Sequence, residues 1–516
     1  MMCQQDPNLQ LSLARRVTIY IIGVVESMLF AGIIFGWPQL VYVLKVEGLY
    51  SDLCRGSSSS VVHDDHNEIK PTSTLNLFYN NSRCLGLNNT FEVSRSHAVG
   101  VEQCGPQDER FALISTVSVS CYSIPGILVG YLLHHAGLRV TRISAGTMLS
   151  LGFLLLGMTT TESPNILFPA MILLALGGNQ TRLAVAQFGD LFPLQRATAI
   201  TLLSGMYAAS AGLFIVFQYT ASVGIPRAHV CWFLAALSSL SVFLSFIMPV
   251  HHIPVTDTYG ADPKAAATQS ATQAMPLSKS LLTGSFFLNQ YWFFMCLFAV
   301  NTYQQSYNVW ITKSSCSVEE VGVYSMMYSY SNLLTVFISP LGGAFTDCMI
   351  KRASKTTNEV ARRVKEVQAY FWPLLVTTVA AMVNYGCTLF FQPAAIYVSL
   401  ISMVIARPCT VAISTAYIRA RFPADHFNRL LGIIGTVTSV IMFLQYPLFI
   451  WSQHMYYPAH ALVLSLLALS YLNPIHLLFT PLMRHAVIVR DQLDQSEIGC
   501  ARITRGPPGG KAPNIL

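Results

Sequence analysis

The chain has 516 residues, 53% of them hydrophobic and only 11% charged, with a mean hydropathy of +0.49 and a formal net charge of +7. Soluble chains carry about 25% charged residues and stop enlarging a single core near ~250–300 residues, so this composition excludes a soluble globular protein and fits one whose apolar surface faces lipid. Most of the 31 lysines and arginines fall in segments read here as cytosolic; the positive-inside bias accounts for the charge, and no nucleic-acid partner is expected.

Crossing a ~30 Å hydrocarbon layer takes about 20 apolar residues. On that criterion the spans, in chain order, are 17–44, 110–133, 141–160, 165–190, 197–221, 228–250, 286–311, 320–346, 367–390, 394–418, 429–452 and 459–482. Arg15 and Arg16 precede the first run, which is too long for a signal-peptide core and lacks a small-residue cleavage site, so it is expected to be retained. Residues 45–109 form a long polar loop carrying two N-x-S/T sequons at Asn80 and Asn88, which suits a glycosylated extracellular face. A third match, Asn179-Gln180-Thr181, lies inside span four and is not expected to be used. Residues 251–283 are a polar linker rich in Ala, Thr, Ser and Pro. The segment 346–366 carries Lys351, Arg352, Lys355, Arg362, Arg363 and Lys365, which places it in the cytosol. The expected layout is a cytosolic N-terminus at 1–16, a six-helix half at 17–250, a cytosolic linker at 251–283, a second six-helix half at 284–482 and a cytosolic tail at 483–516. An even number of spans puts both termini on one side.

Charge within a span is costly and points to function by default. Glu26 lies in span one, about a third of the way in from the cytosol. Arg182 lies at nearly the same depth in span four, flanked by Asn179, Gln180, Thr181 and Gln187. An ion pair between Glu26 and Arg182 is one expectation; the other is that Arg182 snorkels to the headgroups. Arg407 sits near mid-depth in span ten, before Pro408, where neither end is within easy reach. Its rigid fork of donors suits a carboxylate or ring acceptors. Trp37 in span one and Tyr303, Gln304, Gln305, Tyr307, Asn308 and Trp310 in span seven could stack on a flat ring and bond its edge, or belong to an interfacial aromatic belt, which is the reading taken for Trp310. Pro447, after Gln445, and Pro474, after Asn473, are expected to break spans eleven and twelve. Gly32 and Gly36 form a GxxxG pair that suits close packing. No Walker loop, GxSxG or HExxH occurs, and no Cys/His cluster has metal-ligand spacing. Neither an enzyme, an ATP-driven pump, a cofactor nor a metal is expected. The expected partners are a small-molecule substrate and the lipid bilayer, with no obligate protein partner.

Several strings together resemble a known family. They are Glu26-Ser-Met-Leu-Phe-Ala-Gly32 with Gly36-Trp37-Pro38; Glu47-Gly-Leu-Tyr-Ser-Asp-Leu-Cys54; Cys104-Gly-Pro-Gln107-Asp108-Glu109-Arg110-Phe111; Arg407 followed by Phe422-Pro423-Ala-Asp-His426-Phe427; and Leu444-Gln445-Tyr446-Pro447. They look like the solute-carrier family that holds the single-chain, sodium-independent L-type amino acid transporters and the equilibrative nucleobase transporter, within the major facilitator superfamily. The resemblance implies an all-α membrane protein of twelve helices in two pseudo-symmetric halves. It also implies alternating access, facilitated diffusion without ion coupling, and a place in the plasma membrane. Gly36-Trp37-Pro38 and Gln107 to Phe111 look like the nucleobase branch; Glu47 to Ser51 and Gly205 to Ser210 look like the amino-acid branch. Nucleobases are the preferred substrate on this reading and large neutral amino acids the alternative. A non-transporting receptor or scaffold of the same fold is a remote third.

The resemblance also suggests a Cys54–Cys104 disulfide at the ends of the outer loop, with Cys84 unassigned. Arg182 departs from the family, which has a small polar residue there. The superfamily's conformational latch, G-x-x-x-D-R-x-G-x-R, is matched by Gly130 and Arg139 after span two and by Gly343 and Asp347 after span eight. His134 and His135 replace the Asp and Arg of the first copy, which weakens a charge-based latch in that half.

Overall fold

The structure is a computed structural model and describes residues 13–55, 104–191, 196–246, 277–354, 359–422 and 424–479. Asn80, Asn88, most of the linker and the C-terminal tail lie outside the described residues. Twelve long helical segments follow one another in the expected order. They are α1 (Leu13–Ala31, bent by 44° into Ile33–Val46), α2 (Gly105–Leu133), α3 (Gly137–Met158), α4 (Pro164–Ala186), α5 (Thr201–Ser222), α6 (Arg227–Leu244), α7 (Gly284–Ser314), α8 (Glu319–Ala353), α9 (Val364–Leu389), α10 (Pro393–Ile418), α11 (Arg429–His454) and α12 (Tyr456–His476). Ten are long and apolar enough to cross a bilayer, and bent α1 makes an eleventh. At 31 residues α7 is long enough as well, but its run of amides and hydroxyls makes it more polar than the rest.

The helices form two halves with separate cores. Phe30, Phe153, Leu174 and Phe214 are buried within α1–α6, and Trp292, Tyr307, Tyr385 and Tyr417 within α7–α12. In the first half α3 packs extensively on α4 and α6; in the second α9 packs on α10. The halves meet along α5 and α8. Large apolar side chains such as Phe233, Phe243 and Phe337 point outward, as lipid-facing positions should.

Helix α1 is broken where it presses on α5. Its regular winding gives way to a π-turn over Ser27–Ala31 and a 3-10 turn over Ile33–Gly36. A Cβ at Gly32 would lie 2.3 Å from the Tyr207 carbonyl oxygen, and one at Gly36 2.4 Å from that of Ala211. Only glycine admits this backbone approach, so the GxxxG pair is a packing device. The expected proline breaks occur one turn earlier than the prolines. A 3-10 turn covers Met442–Leu444 ahead of Pro447, and another covers Leu469–Tyr471 ahead of Pro474. The reason is local: a proline ring clashes with the carbonyl four residues back and leaves it without its helical donor. That residue is Phe443 in one helix and Ser470 in the other.

Trp310 corrects the belt expectation. It is 1% exposed, and its Nε1 donates to the Phe390 carbonyl at 3.2 Å.

Candidate substrate site

Aromatic side chains from three helices of the first half meet at the centre. Phe35 lies at the break in α1, Tyr122 in α2 and Tyr207 in α5. The Phe35 ring stands edge-on to Tyr122 at 5.2 Å and to Tyr207 at 5.9 Å, and the two tyrosine rings are 6.2 Å apart. Two guanidinium groups flank this cluster. Arg407 of α10 places its Cζ 4.4 Å from the centre of the Phe35 ring and 5.8 Å from that of Tyr207. Arg182 of α4 places its own 5.8 Å from Tyr122 and 5.8 Å from Tyr207. A cation on an aromatic face gains about 0.5–2 kcal/mol depending on desolvation. Against that, the two Cζ atoms, each 5.8 Å from the Tyr207 centre, are at most about 12 Å apart, and two unit charges at that separation repel by roughly 1.4 kcal/mol at an effective dielectric near 20.

Each arginine is steadied by one amide. Arg407 donates from Nη1 to Asn332 Oδ1 of α8 at 3.0 Å, and the Asn332 amide is itself fixed on the Tyr328 carbonyl at 2.8 Å. Arg182 donates from Nη2 to Asn179 Oδ1, one turn back on its own helix, at 3.1 Å. Gln304 and Asn332 both contact the Tyr328 side chain, which brings α7 to the edge of the cluster. Donors remain: Arg182 Nε, Arg407 Nη2, Asn179 Nδ2 and Gln304 Nε2 are buried without a hydrogen-bond partner among the described residues. Buried polar groups are normally satisfied, so two arginines on the rings with donors to spare suit a ligand rich in acceptors.

The expected Glu26–Arg182 pair does not form. Glu26 Oε1 instead accepts from Arg142 Nη2 of α3 and from Ser241 Oγ of α6, each at 2.6 Å. Equal depth was the basis of the expectation, but depth does not fix azimuth. Glu26 faces the inside of the first half, while Arg182 faces α2 and α5. Arg182 does not snorkel either; its head rests on the two tyrosine rings.

The other sequence candidates separate. Trp37 is 4% exposed and packs on Phe111 at 6.2 Å, within the core of the first half. Tyr303 belongs to the core of the second half, with its hydroxyl on Ser399 Oγ at 2.8 Å. Gln445 is buried where α11 resumes after its 3-10 turn, with Nε2 unpartnered among the described residues. Phe35, Tyr122, Tyr207 and Asn332 carry the cluster and were not singled out as site residues from the sequence. A mid-depth aromatic in an apolar run reads like any core residue, so the sequence held little to mark them.

Polar residues of α7 and α8 close the distal end of the bundle, the end opposite the termini. Backbone carbonyls at the break in α1 and just past it accept hydrogen bonds from the second half. Tyr328 Oη donates to the Phe35 carbonyl at 2.9 Å and Asn308 Nδ2 to that of Pro38 at 2.6 Å. Gln39 joins Gln218 and accepts from Ser325 Oγ at 3.0 Å and Ser329 Oγ at 3.2 Å. Gln305 Nε2 reaches the Ala112 carbonyl of α2 at 3.0 Å.

At the same end, Cys54 and Cys104 form a disulfide. Lys45 pairs with Asp108 at 2.5 Å, and Gln107 Nε2 donates to the Leu49 carbonyl at 2.7 Å. Arg227 binds Glu47 at 2.8 Å and the carbonyls of Leu156 and Thr159.

The two latch copies differ. A Cβ at Gly343 would lie 2.6 Å from the Thr201 side chain of α5, whereas Gly130 has open space around it. Arg139 donates to the Phe246 carbonyl at 3.1 Å, just beyond the end of α6, which is a helix-end contact. Asp347 lies within α8, and its side chain is outside the described residues.

The profile described as Major Facilitator Superfamily matches residues 101–446. The chain is 23% identical to "Equilibrative nucleobase transporter 1" of Bos taurus, over 85% of this chain and 90% of that protein. It is 21% identical to "Large neutral amino acids transporter small subunit 3" of Homo sapiens, over 86% of this chain and 89% of that one. A third relative, "Amino acid transporter 6-1" of Toxoplasma gondii, is 20% identical over 67% of this chain and 62% of its own length.

Proposed function

The chain belongs to the major facilitator superfamily, and we propose on that premise that it is a facilitative, ion-independent transporter of purine nucleobases. It is a multi-pass membrane protein of transporter type, with both termini in the cytosol and its site of action at the plasma membrane. The orientation rests on the basic cluster at 351–365 and on the sequons of the 45–109 loop at the opposite end. Both relatives that span most of the chain carry transporter names, one for nucleobases and one for large neutral amino acids.

One observation favours the nucleobase. The central cluster offers three rings and two guanidinium groups, and among the described residues no ion pair reaches either arginine. An amino acid brings an ammonium as well as a carboxylate. Its carboxylate suits Arg407, but its ammonium would enter a site already doubly positive and rich in unpaired donors. A purine brings a flat face for the rings and acceptors for the donors, and no cation.

Substrate exchange follows from the contacts at the distal end. Opening that side requires α7 and α8 to release the carbonyls of Phe35 and Pro38. The same motion frees the Phe35 ring on which Arg407 rests. Release of the gate and exposure of the site are therefore one event, which is what alternating access between two halves needs. The test is uptake of labelled adenine and labelled leucine in cells expressing the chain. Adenine uptake above background, suppressed by excess unlabelled hypoxanthine, is expected. Leucine uptake without adenine uptake would reverse the assignment in favour of the amino-acid branch.

A further inference from the structure

We propose that the ligand this site takes best is an anionic oxopurine, a purine carrying ring carbonyls and one negative charge, such as urate. The inference deepens the nucleobase reading and rests on it. A neutral purine would satisfy the rings but leave the charge of the site uncompensated. Arg182 and Arg407 share the Tyr207 ring, each 5.8 Å from its centre. The buried carboxylate of Glu26 is committed to Arg142 and Ser241, and that of Asp108 to Lys45. The charge that neither arginine finds among the described residues is one that water, an inorganic ion or the substrate can supply.

The unpaired atoms identify which kind of substrate. Arg182 Nε, Arg407 Nη2, Asn179 Nδ2 and Gln304 Nε2 are all donors. Adenine would turn its exocyclic amine, another donor, toward some of them. The urate anion keeps N–H donors on its ring, but it presents three carbonyl oxygens and one deprotonated ring nitrogen as acceptors and adds a delocalised negative charge that adenine lacks. Their distribution also matters. The two guanidinium groups come from opposite halves of the molecule and meet on Tyr207, with Arg407 lying also over Phe35 and Arg182 over Tyr122. Acceptors spread around a bicyclic ring meet donors arranged in that way, whereas a lone carboxylate concentrates its acceptors at one point. Charge-assisted bonds of this kind are the strong ones, and a guanidinium makes them with fixed geometry.

The test uses the full chain reconstituted in liposomes, with labelled urate and labelled adenine measured in the same preparation. Urate should enter faster than adenine at equal concentration and should compete with it. If the arginines return unloaded, each urate moves one net negative charge. An inside-positive potential set with potassium and valinomycin should therefore speed urate entry and leave adenine unchanged. Arg182→Gln removes one charge, and the ratio of urate to adenine uptake should fall at least about tenfold, as expected for one charged hydrogen bond. Should that variant lose both fluxes, Arg182→Lys decides: return of urate uptake supports the proposal, and return of adenine uptake alone overturns it. Adenine uptake with no transport of urate and no competition by it also overturns the proposal while leaving the nucleobase reading intact. Transport of neither purine removes both.

Discussion

Arg407 places its Cζ over the Phe35 ring, 4.4 Å from its centre, and holds Asn332 at 3.0 Å while one of its nitrogens stays unpaired among the described residues. A lysine could carry the same charge to the same place, but it cannot lie flat on the ring and reach two acceptors at once. Arg407→Lys is therefore expected to reach the cell surface normally and to lose most uptake, about tenfold or more, measured as flux per surface molecule. Undiminished flux would reduce Arg407 to a packed charge. Glu26 makes the opposite expectation. Its partner Arg142 is 3% exposed, so Glu26→Ala strands a buried cation at a cost of ~3–5 kcal/mol. The variant should express poorly and melt at lower temperature in detergent, and adding Arg142→Met should restore much of the loss. At this scale the sequence was informative about cost and silent about direction. Glu26, Arg182 and Arg407 stood out because charge in an apolar span is expensive. Nothing in the sequence fixed the rotation of α1 and α4 about their axes, and the pairing of Glu26 depended on that rotation. Tyr122 and Tyr207 were invisible for a related reason: an aromatic ring in a lipid-spanning run is compatible with core, cavity and interface alike.

Among the helices, α1 and α7 explain each other. The glycines of α1 let it lie on the backbone of α5, the helix breaks there, and the carbonyls of Phe35 at the break and Pro38 just past it accept from Tyr328 and Asn308. The polar run of α7 therefore has partners at this end. The amides of Gln305 and Asn308, read from the sequence as suited to a substrate's edge, bond to α2 and α1 at the distal end; Gln304 alone of that trio touches Tyr328 beside the ring cluster. The order of the spans was legible because apolar length and loop charge are one-dimensional properties. The division of labour along α7 was not, since it depends on which neighbour each face meets. A gate made of hydrogen bonds can be loosened one bond at a time. Asn308→Ala removes the bond to Pro38, worth about 0.5–1.5 kcal/mol, and should raise the distally open population by up to about tenfold. A cysteine placed at Ser325, beside Gln39, should then react faster with a membrane-impermeant thiol reagent than it does with Asn308 intact. An equal rate in both backgrounds would mean that this bond does not hold the gate.

Taken whole, the molecule is two helical halves, and the described ends of the connection between span one and span two are fastened to each other. The Cys54–Cys104 disulfide, the Lys45–Asp108 pair and the Gln107–Leu49 bond fasten them, all within the first half. Unreduced peptide mapping should recover Cys54 linked to Cys104. In the chain-entropy model, closing a loop with a sequence separation of 50 stabilises by about 4 kcal/mol, so reduction should lower the melting temperature.

The same arrangement bears on what drives transport. Coupling to a proton needs a carboxylate that can change its protonation as the halves move. Glu26 is the acid most deeply placed in a span, and its partners Arg142 and Ser241 both belong to its own half, so rocking one half against the other does not separate them. Asp108 is tied to Lys45 in the same way. Adenine, carrying no charge, should therefore enter at the same initial rate with sodium replaced and with a protonophore present, and its accumulation should stop when internal and external concentrations are equal. A severalfold drop with the protonophore would show that Glu26 or another acid does release its partner during the cycle, and would make this carrier proton-driven.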